Sequence, residues 1–237
     1  MAYIGQKPAD KPLGASDITD GIISNAKLGQ DIISADTALS AEPADTDEFL
    51  VSDAGVLKRM DYSHIKGGAA HVLLSTSTIS SGVSEIDITS NIDSTYKVYM
   101  LELINLHPQT NDKTLRMRFF QGGTVDTGGY DYSFQSYANN NANQYFYADN
   151  EDFIEMTYAS HNNAEAACSG RIFLYDPASS TFNTNCLWNF VYQIDGDNCR
   201  IADGSGRIDQ TVAVDGVRLY MSSGNIDSGI VKLYGIT

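Results

Sequence analysis

The sequence predicts an all-β, trimeric protein: a C-terminal jelly-roll-like β-sandwich head, preceded by an extended N-terminal segment and a β-hairpin. Three observations carry this expectation. The larger part of the chain is a succession of short runs rich in β-branched and aromatic residues, divided by clusters of Gly, Asn, Asp and Ser. Only 19% of residues are charged, and polarity carried instead by small hydroxyls and amides suits turn-rich sheets better than helices. Of 14 tyrosines and 9 phenylalanines, only Tyr3, Phe49 and Tyr62 precede residue 70, and the single tryptophan is Trp188. Aromatic side chains supply much of the burial in a core, so the core is expected past residue 70.

Residues 1–45 read as an extended attachment and trimerisation segment. Gly21-Ile22-Ile23-Ser24 is echoed ten residues on by Asp31-Ile32-Ile33-Ser34, with Leu28 and Leu39 at similar offsets. Sparse isoleucine pairs bury too little apolar area to offset the entropy of ordering one chain. Three copies wound about an axis bury them together, so Ile18, Ile22, Ile23, Leu28, Ile32 and Ile33 are candidate contacts between subunits or with a virion. A disordered leader is the competing reading.

Residues 46–70 read as strand, turn and strand followed by a small-residue hinge. Asp53 and Gly55 suit a tight reversal between two alternating runs, and Lys66-Gly67-Gly68-Ala69-Ala70 supplies the hinge. A lone hairpin is marginal in water, so Phe49, Val51 and Leu57 join the candidate attachment residues. Residues 71–237 form the expected head, with strands over 83–88, 96–106, 114–121, 130–137 and 153–158. Further strands are expected over 171–175, 187–194, 210–214, 217–221 and 230–236. Turn clusters such as Gln121-Gly122-Gly123-Thr124 and Ser222-Ser223-Gly224-Asn225 divide them, and no convincing helix intervenes.

The most unusual local composition is the stretch from Tyr137 to Tyr147, which contains Asn141, Asn143 and Tyr145 and is flanked by Tyr130 and Tyr132. Sugars present apolar C–H faces and many hydroxyls, and flat aromatic surfaces beside side-chain amides match both. These seven residues are therefore the candidate receptor, or carbohydrate, contact. The competing reading is a polar hairpin tip whose tyrosines pack inward as core.

Other motifs point nowhere specific. Asp195-Gly196-Asp197-Asn198 reads as a plain turn rather than a calcium loop, because it lacks the spaced acidic series and terminal Glu. The four histidines have no ligand spacing, so no metal and no cofactor is expected. Cys168, Cys186 and Cys199 read as small buried hydrophobes. No G-x-S-x-G elbow occurs, and Gly204-Ser205-Gly206 reads as a turn, so no catalytic residue is assigned. Fifteen basic against thirty acidic residues, a formal charge of −15, argue against a nucleic-acid partner. The opening residues hold no apolar run of signal-peptide type, and no stretch reaches membrane-spanning length, so membrane insertion is not expected.

Four stretches carry a resemblance: MAYIGQKPADKPLGASDITDGIIS, TDEFLVSDAGVLKRMDYSHIK, IDSTYKVYMLELINLHPQTNDKTLRMRF and MSSGNIDSGIVKLYGIT. They resemble tail-fibre and related virion structural proteins of marine bacteriophages, of the cyanophage and pelagiphage type. The resemblance covers about half the chain and leaves 121–198 aside. It implies a homotrimer in the virion, its N-terminus fixed to other tail or adaptor proteins and its head facing a host surface receptor such as a polysaccharide. It names no catalytic residues. A head fibre or capsid decoration protein is the alternative, and a small polysaccharide-cleaving spike a more distant one.

Overall fold

A computed structural model of the chain describes residues 18–19, 37–65, 70–196 and 198–237. Ile22, Ile23, Leu28, Ile32 and Ile33 lie outside the described residues. The chain divides into two units between Gly67 and Gly68.

In the first unit, β1 (Glu48–Asp53) and β2 (Val56–Asp61) form an antiparallel hairpin, followed by a single helical turn α1 (Tyr62–Ile65). Asp53 ends β1, and the two turn residues are Ala54 and Gly55, with φ of 50° and 86°. Both sit in the left-handed region that a two-residue turn of this kind requires, which Gly adopts freely and Ala does not. Asp47 closes the base: its backbone oxygen accepts from the Tyr62 amide at 2.7 Å, and its carboxylate accepts from the Ala44 amide at 3.0 Å. Ion pairs between Lys58 and Asp53 and between Arg59 and Glu48 lie across the strands.

Among the described residues the second unit holds thirteen strands. In chain order these are β3 (His71–Ile79), β4 (Glu85–Ile88), β5 (Val98–Pro108), β6 (Leu115–Gln121), β7 (Thr124–Val125), β8 (Tyr130–Ala138) and β9 (Gln144–Glu151). They continue with β10 (Ile154–Glu155), β11 (Cys168–Tyr175), β12 (Asn185–Ile194), β13 (Asn198–Ile208), β14 (Gly216–Met221) and β15 (Ile226–Ile236). One sheet runs β3-β15-β5-β11-β12-β13-β8-β9 and the other β10-β6-β14-β4, with β7 beside β6, all antiparallel. One hydrophobic cluster takes Leu101, Phe134, Trp188 and Phe190 from the first sheet and Met117, Phe119 and Leu219 from the second. The two sheets therefore face each other across one core, the arrangement of a β-sandwich. Every strand from β3 to β15 pairs within this unit, and the cluster spans only residues 79 to 233, so the unit carries its own core.

Several expected elements differ. Residues 210–214 form no strand; the chain crosses irregularly there, and the Val214 amide donates to the Pro177 oxygen at 2.8 Å. Of 153–158 only β10 pairs as strand. Beyond it the Trp188 indole donates to the Met156 oxygen at 3.0 Å, and Thr157 accepts the Leu115 amide at 2.8 Å, so side chains meet part of the backbone's needs. Gly204-Ser205-Gly206 is no turn but the middle of β13. Strands β3, β7, β9 and β13 arise where none was expected. Cys168 and Cys186 are buried, with thiols pushed up to about 12 by desolvation, but Cys199 is exposed on the solvent side of β13.

Candidate functional site

Successive side chains of a strand point to opposite faces, and this parity sorts the seven candidate contact residues. On β8 the even positions face the core. Tyr130 is fully buried: its hydroxyl accepts the Phe119 amide at 2.8 Å and donates to the Asp126 oxygen at 3.2 Å. Tyr132 packs its ring 6.4 Å from that of Phe134, and desolvation, then the Glu155 charge, push its hydroxyl up to about 12. Tyr130 is therefore a core residue rather than a receptor contact, and Tyr132 is partly buried with its ring packed against the same core.

The odd positions face outward. Tyr137 leaves β8 on the outer face of the eight-stranded sheet, and Tyr145 and Tyr147 of β9 share that face, 68% and 84% exposed. Between them Phe146 points inward and stacks on Phe134 at 4.5 Å, an anchor that fixes the outward direction of both neighbours. Cross-strand pairing sets Tyr145 opposite Gln135 and Tyr147 opposite Ser133, and the Tyr137 hydroxyl donates to Gln135. Three aromatic faces thus stand beside an amide and a hydroxyl.

The turn at 139–143 joins these strands. The Asn141 amide donates to the Ala138 oxygen at 3.0 Å, and Asn141 itself takes φ of 62°, a left-handed value that Asn tolerates well. The Asn143 side-chain oxygen accepts the Ala138 amide at 3.2 Å, and that of Asn140 accepts the Ala142 amide at 3.1 Å. The side-chain oxygens of Asn140 and Asn143 are therefore committed to shaping the turn, while Asn141 is exposed. Beneath it lies Arg200, 2% exposed, whose Nη2 donates to the Ala142 oxygen at 2.8 Å while its guanidinium sits 5.3 Å from the Tyr158 ring centroid.

Register also fixes where this turn lies. Ala70 is the first described residue of the unit, and its oxygen accepts the Thr237 amide at 3.3 Å, so the two ends of its described part lie together. From there His71 pairs with Ile236, Ile236 with Val98, Val98 with Tyr175, Tyr175 with Asn185, Asn185 with Arg207 and Arg207 with Asp131. That row marks the hinge end. The turn at 139–143, at the other end of β8, is at the end of the unit remote from Ala70, and so is the turn at Asp195 and Gly196.

Nearer the hinge end, a depression of about 630 Å³ opens on the same outer face, walled by Tyr175, Asn185 and Leu187 and floored by Asp131, Asp149 and Arg207. Arg207 Nε donates to Asp131 at 2.8 Å. The Asn150 amide, then this guanidinium, hold the Asp131 carboxyl below the usual carboxylate range, while its hydrogen bond to Asp131 raises that of Asp149. Carboxylates, a guanidinium, an amide and a tyrosine wall are groups that take polyhydroxylated ligands. The Asp131 and Asp149 carboxyls lie near enough to act on each other's protonation. Among the described residues no group of three or more metal-ligating side chains converges, and no helix is long and apolar enough to cross a membrane.

In the leading unit, Phe49 and Val51 lie on one face of the hairpin with Met60, and Leu57 lies on the other with Leu50. Not one residue of either strand is buried, and Ile18 is exposed. Residues that the sequence reading missed are Arg200, Asp131, Asp149 and Arg207. For Arg200, Arg207 and Asp149 the signal is parity within 198–208 and 144–151, readable only when those segments are recognised as strands; Asp131 lies in the expected strand 130–137, at an outward position. Compared with protein-family models, curated proteins and solved structures, the chain matches none.

Proposed function

We propose that the chain is a subunit of a trimeric bacteriophage tail fibre. The leading residues attach to tail or adaptor proteins of the virion, and the jelly-roll-like head reads a host surface receptor, a polysaccharide by its chemistry. The observation that carries this reading is the placement of the aromatic rim. Tyr137 and Tyr145 flank a turn at the end of the head opposite the hinge, where a particle anchored by its leading residues would meet a cell. Exposed tyrosines at such a site need a reason to stay in water, and stacking on the C–H face of a sugar supplies one.

The test is adsorption. Virions carrying Tyr145→Ala with Tyr147→Ala are expected to assemble in normal number and to adsorb to host cells at least about tenfold more slowly, as loss of two exposed aromatic anchors implies. Normal assembly with unchanged adsorption overturns the receptor role of this rim.

A further inference from the structure

The depression around Asp131 and Arg207 adjoins the tyrosine rim, and register shows how. Ser133 stands opposite Tyr147 on one side and opposite Ser205 on the other, and Ser205 stands opposite Leu187. Two residues nearer the hinge end, Asp131, Arg207, Asn185 and Tyr175 form a parallel row. Ser133, Ser205, Leu187 and all of that second row line the depression. The hollow has a simple cause: two short serines lie in register between Tyr147 of β9 and Leu187 of β12, which both stand out from the sheet. Its volume of about 630 Å³ is in the range of pockets that take small ligands.

We propose that the depression is a second subsite of the receptor site, and that the ligand is a non-acidic sugar chain lying across the strands from Tyr147 to Leu187 and Tyr175. The proposal rests on the receptor reading above and names the ligand class that reading leaves open. Length is the first argument. Three strand spacings of about 4.8 Å separate β9 from β12, so the row measures about 14 Å and seats more than one sugar ring. Lining chemistry is the second. Tyr147 at one end and Tyr175 with Leu187 at the other offer apolar surface to C–H faces, with hydroxyl-binding groups between them. Neither serine hydroxyl is bonded to another described residue. The Asn185 side chain donates to the Asn183 oxygen at 3.0 Å, which leaves its own oxygen to accept from a ligand hydroxyl.

Charge selects among sugars. Asp131 and Asp209 both pair with Arg207, at 2.8 and 3.6 Å, and the Asp149 carboxyl feels the charge of both. Three carboxyls against one guanidinium leave this end of the face negative, in a chain whose acidic residues already outnumber its basic ones 30 to 15. A chain of uronic or sulfated sugars is repelled there, whereas hydroxyl groups donate to the carboxylate oxygens.

Host envelope polysaccharide, cut into fragments and separated by size and by anion exchange, provides the probe, titrated into the full chain by calorimetry. Long non-acidic fragments are expected to bind at least about tenfold more tightly than short ones, because one ligand then engages both subsites. Ser205→Phe, which fills the hollow from an exposed strand position, should abolish that gain and leave the binding of short fragments unchanged. Tyr145→Ala with Tyr147→Ala should weaken fragments of every length. A folded Ser205→Phe variant that binds long fragments as the wild type does overturns the subsite and leaves the tyrosine rim standing, and so does a preference for the acidic fraction. A wild-type chain that binds no fragment overturns the receptor reading and the subsite with it. Should Ser205→Phe fail to fold, Tyr175→Ala, which removes one wall, is expected to show the same loss, and unchanged binding of long fragments by it overturns the subsite equally.

Discussion

Gly204 lies directly opposite Trp188 in the β12–β13 ladder, and the indole crosses the strand over it. A Cβ at this position would stand 2.3 Å from the Trp188 ring and 2.5 Å from Phe134 Cβ, neither of which is a flexible chain end. Gly204→Ala should therefore destabilise the head by about 1–3 kcal/mol and lower its melting midpoint by about 5 °C, read by thermal denaturation. A midpoint unchanged within error would mean the indole has room to tilt away. Arg200 makes a different kind of residue-scale case. Its Nε and Nη1 are buried with no partner among the described residues, while Nη2 alone holds the Ala142 oxygen. A buried cation lacking a carboxylate contributes little to net stability, but a charge-assisted hydrogen bond is worth about 1.5–3 kcal/mol to the segment it restrains. Arg200→Met should leave global stability equal or higher and yet speed amide exchange at 139–143 by about tenfold or more. Exchange as slow as in the wild type would show that the turn holds itself.

At the scale of elements, the β8–β9 hairpin combines an inward anchor, outward tyrosines and a carboxyl pair. Asp131 is held low by the Asn150 amide and then by Arg207, so what it adds to stability is present at neutral pH and lost as pH falls through its folded value. Asp149 runs the other way. Hydrogen bonding to Asp131 raises its carboxyl, so its favourable contribution exists in acid and is lost as pH rises through its folded value, above the ordinary 3.8. Asp149→Asn keeps the hydrogen bond without the second charge. It should be more stable than the wild type at neutral pH, by a margin that vanishes in acid, as denaturant titration across that range reads out. A margin independent of pH would exclude the carboxyl pair as its source.

This hairpin also shows what the sequence made legible. Alternation in Leu115-Arg116-Met117-Arg118-Phe119 marks β6 because its inner face is uniformly apolar. In β13 the inward positions are Arg200, Ala202, Gly204, Gly206 and Ile208, a series whose logic lies in the Trp188 packed across it. Glycines that make room for a neighbour's ring look, without that neighbour, like a turn. The tyrosines were legible as a cluster but not by face. Tyr132 and Tyr137 differ in fate through a parity that depends on where β8 begins, and strand boundaries are set by partners distant in the chain. Parity places Asp131 and Arg207 on outward faces of their strands, but the depression they share joins residues separated by 76 positions and is legible only once β8 and β13 are known to pair.

At the scale of the whole molecule, the two units obey different physics. From β3 to β15 the chain buries Tyr99, Leu101, Phe119 and Phe190 completely, in one cluster shared by both sheets. The β1–β2 hairpin buries nothing. Leu50 and Leu57 stand in water on one face while Phe49 and Val56 do so on the other, and two ion pairs on exposed side chains add at most about 1 kcal/mol each. Two strands that expose apolar side chains on both faces fall short of independent stability and gain it by packing against something else. For the proposed fibre, that something is sister subunits or the particle. Deleting residues 1–67 should therefore leave the head folded, with a melting midpoint within a few degrees of the full chain, because among the described residues the core cluster is drawn from the second unit itself. The same deletion should abolish incorporation into virions, measured by the protein content of purified particles. A truncated head that is still incorporated would show that attachment runs through the sandwich, and would move the exposed hairpin from anchor to bystander.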